Sequence, residues 1–302
     1  MSPSTRLVPL ALMLPALCSC SLFAPRPAGV AMRFAWPENL MGRVTHTHSM
    51  VADGEALILE AHRTFQLKVE PGEKQGQRRL VSTFTEASPA ESAEDLDPEP
   101  TVIFDRQGAF VGIEQPAESA SMDMVKQMHL SPEEEIEARR EVEQKLERQA
   151  REKWIRQIAR WHGVTLVPRE IVRFRTKTWI GRSPAERRQV EAEERNTLEA
   201  QVPCTPADVK RRCVRIRVEL VPLIASEDGK MNKAIVSFEL VTEPSTLLPY
   251  FSRMLRTEEV ALGLIGQETT HEFTQMDEYA FSYGDEPPGQ GAVDTPVAPT
   301  PH

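Results

Sequence analysis

Long apolar runs, clustered basic charge and catalytic signatures are all missing from this 302-residue chain, and each absence removes a class of function. No stretch approaches the ~18 consecutive apolar residues that read as a membrane-spanning helix, so no integral span is expected. The longest basic run, Lys210-Arg211-Arg212, is three residues in a chain of net charge −9, and no basic cluster is interleaved with stacking aromatics; nucleic acid is not an expected partner. Neither a P-loop nor G-x-G-x-x-G is present, so no nucleotide cofactor is expected, nor any other cofactor. His271-Glu272-Phe273-Thr274-Gln275 carries Gln where a zinc peptidase needs its second His, and it lies in strand-like sequence where the motif requires a helix. Gly181-Arg182-Ser183-Pro184-Ala185 lacks the second glycine of a nucleophile elbow, and Ser183 reads better as a helix cap. The acidic stretch Glu91, Glu94, Asp95, Asp97 and Glu99 lacks the central glycine and closing glutamate of a calcium loop. These absences point away from an enzyme, with a hydrolase kept as the lesser alternative.

Cysteine is scarce too, and its placement is informative. Arg6 supplies a positive start, Leu7 to Leu17 form an apolar region interrupted by Pro9 and Pro15, and small residues and cysteines follow, the layout of an export signal. Leu17-Cys18-Ser19-Cys20 resembles the lipobox of bacterial lipoproteins, with a hydrophobic residue at −3 and a small residue at −1 before the lipidated cysteine. The resemblance implies that residues 1–19 are removed and that Cys20 carries the lipid, since Cys18 would put bulky Leu17 at −1. Cysteine at −2 departs from the commoner Ala, Ser or Thr. Ser21 after the lipidated residue implies the outer membrane of a Gram-negative envelope, the domain facing the periplasm. An ordinary secretory signal cleaved between Ala16 and Ser21 is the alternative. On the lipoprotein reading Cys204 and Cys213 remain as one pair in an oxidising compartment, and a disulfide is expected between them. Free thiols are the alternative; a metal is disfavoured because no His lies nearby.

Residues 20–40, with Pro25, Pro27 and Pro37, read as a tether on which Phe34 and Trp36 could dock, followed by a single domain over 41–284 and a disordered Pro-, Gly- and acid-rich tail over 285–302. Within the domain the dominant signal is period two. It predicts strands over 44–51, 57–69, 78–85, 101–104, 109–113, 171–180, 214–220, 236–240 and 273–283, with Asp53-Gly54 and Asp228-Gly229 as hairpin turns. Residues 251–265 have no clear type. Between the two runs of strands, Ser131, Pro132 and Glu134 form a helix-start signature, and Val142, Leu146, Ala150, Trp154, Ile158 and Trp161 recur on one face. A long amphipathic helix over 132–162 is therefore expected, laced by Glu135 with Arg139, Glu141 with Lys145, Glu147 with Arg151 and Glu152 with Arg156. A short helix near 118–129, with Met122, Val125 and Met128 on one face, should precede it, and a polar helix should run from Ser183 to about Ala200.

The fold class these elements imply is α+β: a curved antiparallel sheet of about eight strands packed on the long helix. The order of hairpins, helices and hairpins resembles, at fold level only, the half-barrel envelope proteins that carry lipoproteins or lipids between bacterial membranes. That resemblance implies an apolar ligand or an envelope protein as partner, with a purely structural envelope component as the alternative. His46 and His48 share a strand face with His62 on the next strand, but a polar sheet surface accounts for them, and no metal is expected.

Overall fold

Alternation of apolar and polar residues at both ends of the chain builds a single large antiparallel sheet. The computed structural model describes residues 28–54, 56–89, 99–114, 125–128, 130–180, 188–208, 210–223, 235–262 and 269–284. The signal-like start with Cys18 and Cys20, the acidic loop before Glu99, Met122, Ser183, Asp228-Gly229 and the tail lie outside the described residues.

The strands are β1 Val30–Ala31, β2 Met41–Ala52, β3 Ala56–Pro71, β4 Gln77–Ser88, β5 Thr101–Asp105, β6 Phe110–Glu114, β7 Thr165–Leu166, β8 Val172–Ile180, β9 Arg188–Pro203, β10 Arg212–Pro222, β11 Val236–Thr242, β12 Pro249–Leu262 and β13 Thr269–Tyr283. Eleven of them pair in the order β6-β5-β4-β3-β2-β13-β12-β11-β10-β9-β8, while β1 and β7 make a separate two-stranded pair. Two meanders, β2 to β6 and β8 to β13, thus meet at β2 and β13, with Gly42 opposite Tyr283 and Ala52 opposite Phe273. The sheet is open, ending at β6 and β8. Asp53 and Gly54, at φ 50° and 73°, make the tight β2–β3 turn, where two positive φ values suit the strand twist.

Two segments correct the sequence reading and enlarge the sheet. The expected polar helix is strand β9 from Arg188 onward. Its register opposes Ile216 to Leu198 and Val214 to Ala200 on one side, and Glu194 to Phe174 on the other. Pairing on both edges overrides the helix propensity of its Glu, Ala and Arg residues. The undecided stretch is strand β12, held between β11 and β13.

The helix α1 spans Pro132–Gln157 and opens on the expected capping box: Glu134 N donates to Ser131 Oγ, and Ser131 N donates to Glu134 Oε2 at 2.9 Å. Glu135–Arg139 and Glu147–Arg151 form at i, i+4. The expected span to residue 162 is corrected, because the last turn tightens to a 3-10 helix over Ala159–Trp161 before Gly163 at φ 76°. So is the picture of an apolar face buried along its length. Trp154 is the helix's buried residue, Ile158 and Trp161 follow it into the core, and Ile136 stays 60% exposed. The helix is seated by its C-terminal end.

That seat includes residues expected to be tether. Met32, Phe34, Trp36 and Leu40 are buried, and the segment is tied on both sides, with Met32 N donating to Val164 O and Arg33 N to Pro244 O. Phe34, Trp36, Phe104 and Trp154 form one aromatic cluster with ring centroids 4.9 to 6.3 Å apart. The indole N–H groups of Trp154 and Trp36 donate to the carbonyls of Gly108 and Leu247. Buried aromatics of this kind need such partners for their polar edges. Any tether ends before Val30, and residues 30–40 belong to the domain.

Cys204 and Cys213 are bonded, closing the β9–β10 connection with both residues buried. A loop this short contributes about 2–3 kcal/mol on the chain-entropy account. The architecture is mixed α+β, with one large antiparallel sheet and one main helix among the described residues.

Candidate functional site

The middle of α1 does not reach the sheet beneath it. Between them lies a groove of about 330 Å³. Leu40, Leu67, Leu80 and Val102 form its floor, Leu146 and Ala150 project from the helix, and Trp36, Ile158 and Phe281 close its ends. The strand residues project here because they share one face: Leu80 is opposite Val69 on β3 and Val102 on β5, and Leu67 lies two residues from Val69 in the same alternation.

One wall of the groove is charged. Lys153 Nζ lies 2.6 Å from Glu99 Oε1 and 4.6 Å from the centre of the Tyr279 ring. Burial alone would favour the neutral acid at Glu99, but the Lys153 ammonium outweighs it and holds that carboxyl below its usual range. Burial likewise works against charge on Lys153, yet Glu99 and Tyr279 together hold its ammonium above its usual range. The Tyr279 phenol is pushed up by burial, with Lys153 opposing and Glu99 and Asp277 adding. Over a third of each ion-pair side chain remains accessible, so the pair is strong in direction but open to water and bound molecules.

Tyr279 leads to a second cluster. Its ring stacks on His46 with centroids 4.3 Å apart and planes 2° apart. His46 Nε2 lies 3.0 Å and His48 Nδ1 2.9 Å from the same oxygen, Asp277 Oδ1. Burial would raise the Asp277 carboxyl, but the two imidazole hydrogen bonds prevail and hold it low, so it is ionised at neutral pH. These three groups could hold a metal ion, since their ligand atoms all lie within 4.8 Å of one another.

The structure sorts the histidines. His46 and His48 share a face, as expected, but His62 pairs with Thr47 in the register and bonds to its hydroxyl on the opposite face, so the three imidazoles do not meet. His271 Nδ1 contacts Asp53 Oδ2 at the β2–β3 turn, and Glu272 N donates to the same carboxylate, in strand and not helix. Val125 is buried while Met128 is exposed, so the described part of the methionine segment presents no methionine face. Asp277, Lys153 and Tyr279 were not singled out as a group by sequence. Tyr279 and Phe281 do alternate with Asp277 on β13, but nothing local says that β13 lies beside β2.

The sequence matches no protein-family model and no curated protein.

Proposed function

We propose that the chain is a lipid-anchored protein of the bacterial cell envelope, held at Cys20 in the outer membrane with its domain facing the periplasm. In this reading the open sheet curves around α1 as a half-barrel and takes an apolar ligand in the groove, without catalysis. The groove itself carries the reading, because its aliphatic lining is left unfilled where the inward side chains Leu198, Ile216 and Leu240 of β9 to β11 are packed. Its volume sits at the lower end of the ~300–1,000 Å³ typical of small-molecule sites, which suits one acyl chain better than a bulky ring system. Each buried methylene contributes about 0.8 kcal/mol, so about ten of them supply roughly 8 kcal/mol before ordering costs. Lys153 at the wall would face the polar end of such an amphiphile.

Mass spectrometry of the full chain extracted from envelopes tests both parts at once. The expected result is an acylated Cys20 at the N-terminus of the mature chain and a co-purifying lipid that Ala150→Trp, which fills the groove, excludes. An unmodified N-terminus defeats the anchor. Equal lipid on the variant and the parent defeats the groove, and a parent free of lipid returns the chain to a purely structural role.

A further inference from the structure

We propose that His46, His48 and Asp277 form a binding site for a divalent first-row transition-metal ion such as zinc. Two imidazoles and one carboxylate are a ligand set that suits zinc or iron and leaves coordination positions open. The three come from two adjacent strands, β2 and β13. His46 and His48 lie two residues apart on one face, and Asp277 sits directly opposite His48 in the register. Ladder pairing holds these backbones in place before any ion arrives, and the Tyr279 ring lying flat on His46 fixes that imidazole's plane.

The distances fit with small adjustments. A tetrahedral zinc with bonds of ~2.0–2.1 Å keeps its ligand atoms about 3.3 Å apart. Here each imidazole nitrogen is already within 3.0 Å of the carboxylate oxygen and all three atoms lie within 4.8 Å of one another, so rotation of the His48 ring and the Asp277 carboxylate about the stacked His46 moves the set from hydrogen bonding to coordination. Two histidines competing for one oxygen is also an arrangement that a cation resolves, since each of the three atoms then directs a lone pair at the ion.

Charge on the same face bears on the ion. Lys153 is matched by Glu99, and Arg63 stands opposite His46 in the register. Arg63 Nε is buried without a hydrogen-bond partner among the described residues. An anion at an open position of the ion offsets the repulsion from Arg63. The site does not rest on the groove's ligand, because a chain that binds no lipid still presents these three groups.

The full chain, purified without a histidine tag and stripped with chelator, would be titrated with Zn²⁺ by calorimetry and with Co²⁺ by visible absorption. One ion per chain is expected, and His48→Ala and Asp277→Asn should each weaken binding by a hundredfold or more, beyond the ~10–100-fold seen when only an outer-shell partner is lost. His62→Ala, on the other face, should bind as the parent does. X-ray absorption of the zinc-loaded parent, which needs no variant to fold, should show two imidazole nitrogens in the shell. The proposal is overturned by a parent that binds no ion, by affinity equal to the parent's in either ligand variant, by loss in His62→Ala, or by a shell made only of oxygen.

Discussion

The two flanks of the sheet use the same alternating pattern to opposite ends. On β9 to β11 the inward side chains Leu198, Ile216 and Leu240 are 2%, 0% and 0% exposed, covered by Met32, Trp161, Leu166 and Leu247. On β4, β5 and β13 the inward Leu80, Val102 and Phe281 are only half-buried, because the helix above offers Leu146 and Ala150 instead of large aromatics. Burial is thus decided less by the strands than by what lies over them. One flank is filled by the chain itself, and the other is left partly open.

The junction between the flanks should be the most sensitive point. Trp154→Ala removes an indole that touches three other aromatic rings, and should cost about 3–5 kcal/mol in denaturant unfolding, independent of protein concentration. A midpoint that rises with concentration would show instead that α1 is an interface between copies. The flanks themselves should separate next. Ile216→Ala should cost about 2–5 kcal/mol, whereas Leu80→Ala, already facing open space, should cost about 1 kcal/mol or less. Equal losses would erase the contrast. The smallest effect should come from the groove's ion pair. Because the folded Glu99 carboxyl titrates below its ordinary 4.5, its stabilising contribution is complete above that value and fades as acid protonates it at still lower pH. Unfolding midpoints measured from pH 6 to pH 3 should therefore fall less steeply for Glu99→Gln than for the parent, and identical slopes would show that the pair does not contribute.

Most of this architecture is legible one strand at a time. The β2, β3, β10 and β11 alternations and the Ser131 to Glu134 cap each declare their element within a few residues. Strand β9 hides because two of its inward positions are Glu194 and Asn196. Glu194 is held by Arg160, 34 residues away, and by Asn196, and not by apolar neighbours in sequence. The alternation Met32, Phe34, Trp36 was present but sat among prolines that read as linker. The histidine pair could be seen on its strand; its carboxylate could not, because Asp277 is 229 residues from His48 and is brought there by sheet order alone.

That sheet order also has a kinetic consequence. The innermost pair, β2 with β13, is contributed by opposite ends of the domain, so the centre of the sheet is the part whose contacts span the greatest length of chain. Local hairpins within each meander can close early, but docking them must pay the loop-closure entropy of nearly the whole domain, the condition that slows folding most. Until Thr269–Tyr283 is available, the long edge of β2 has no partner and offers its ladder to any other strand. A chain of this topology needs β13 before β2 is safe from aggregation, and loss of β13 should do more harm to solubility than its few residues suggest.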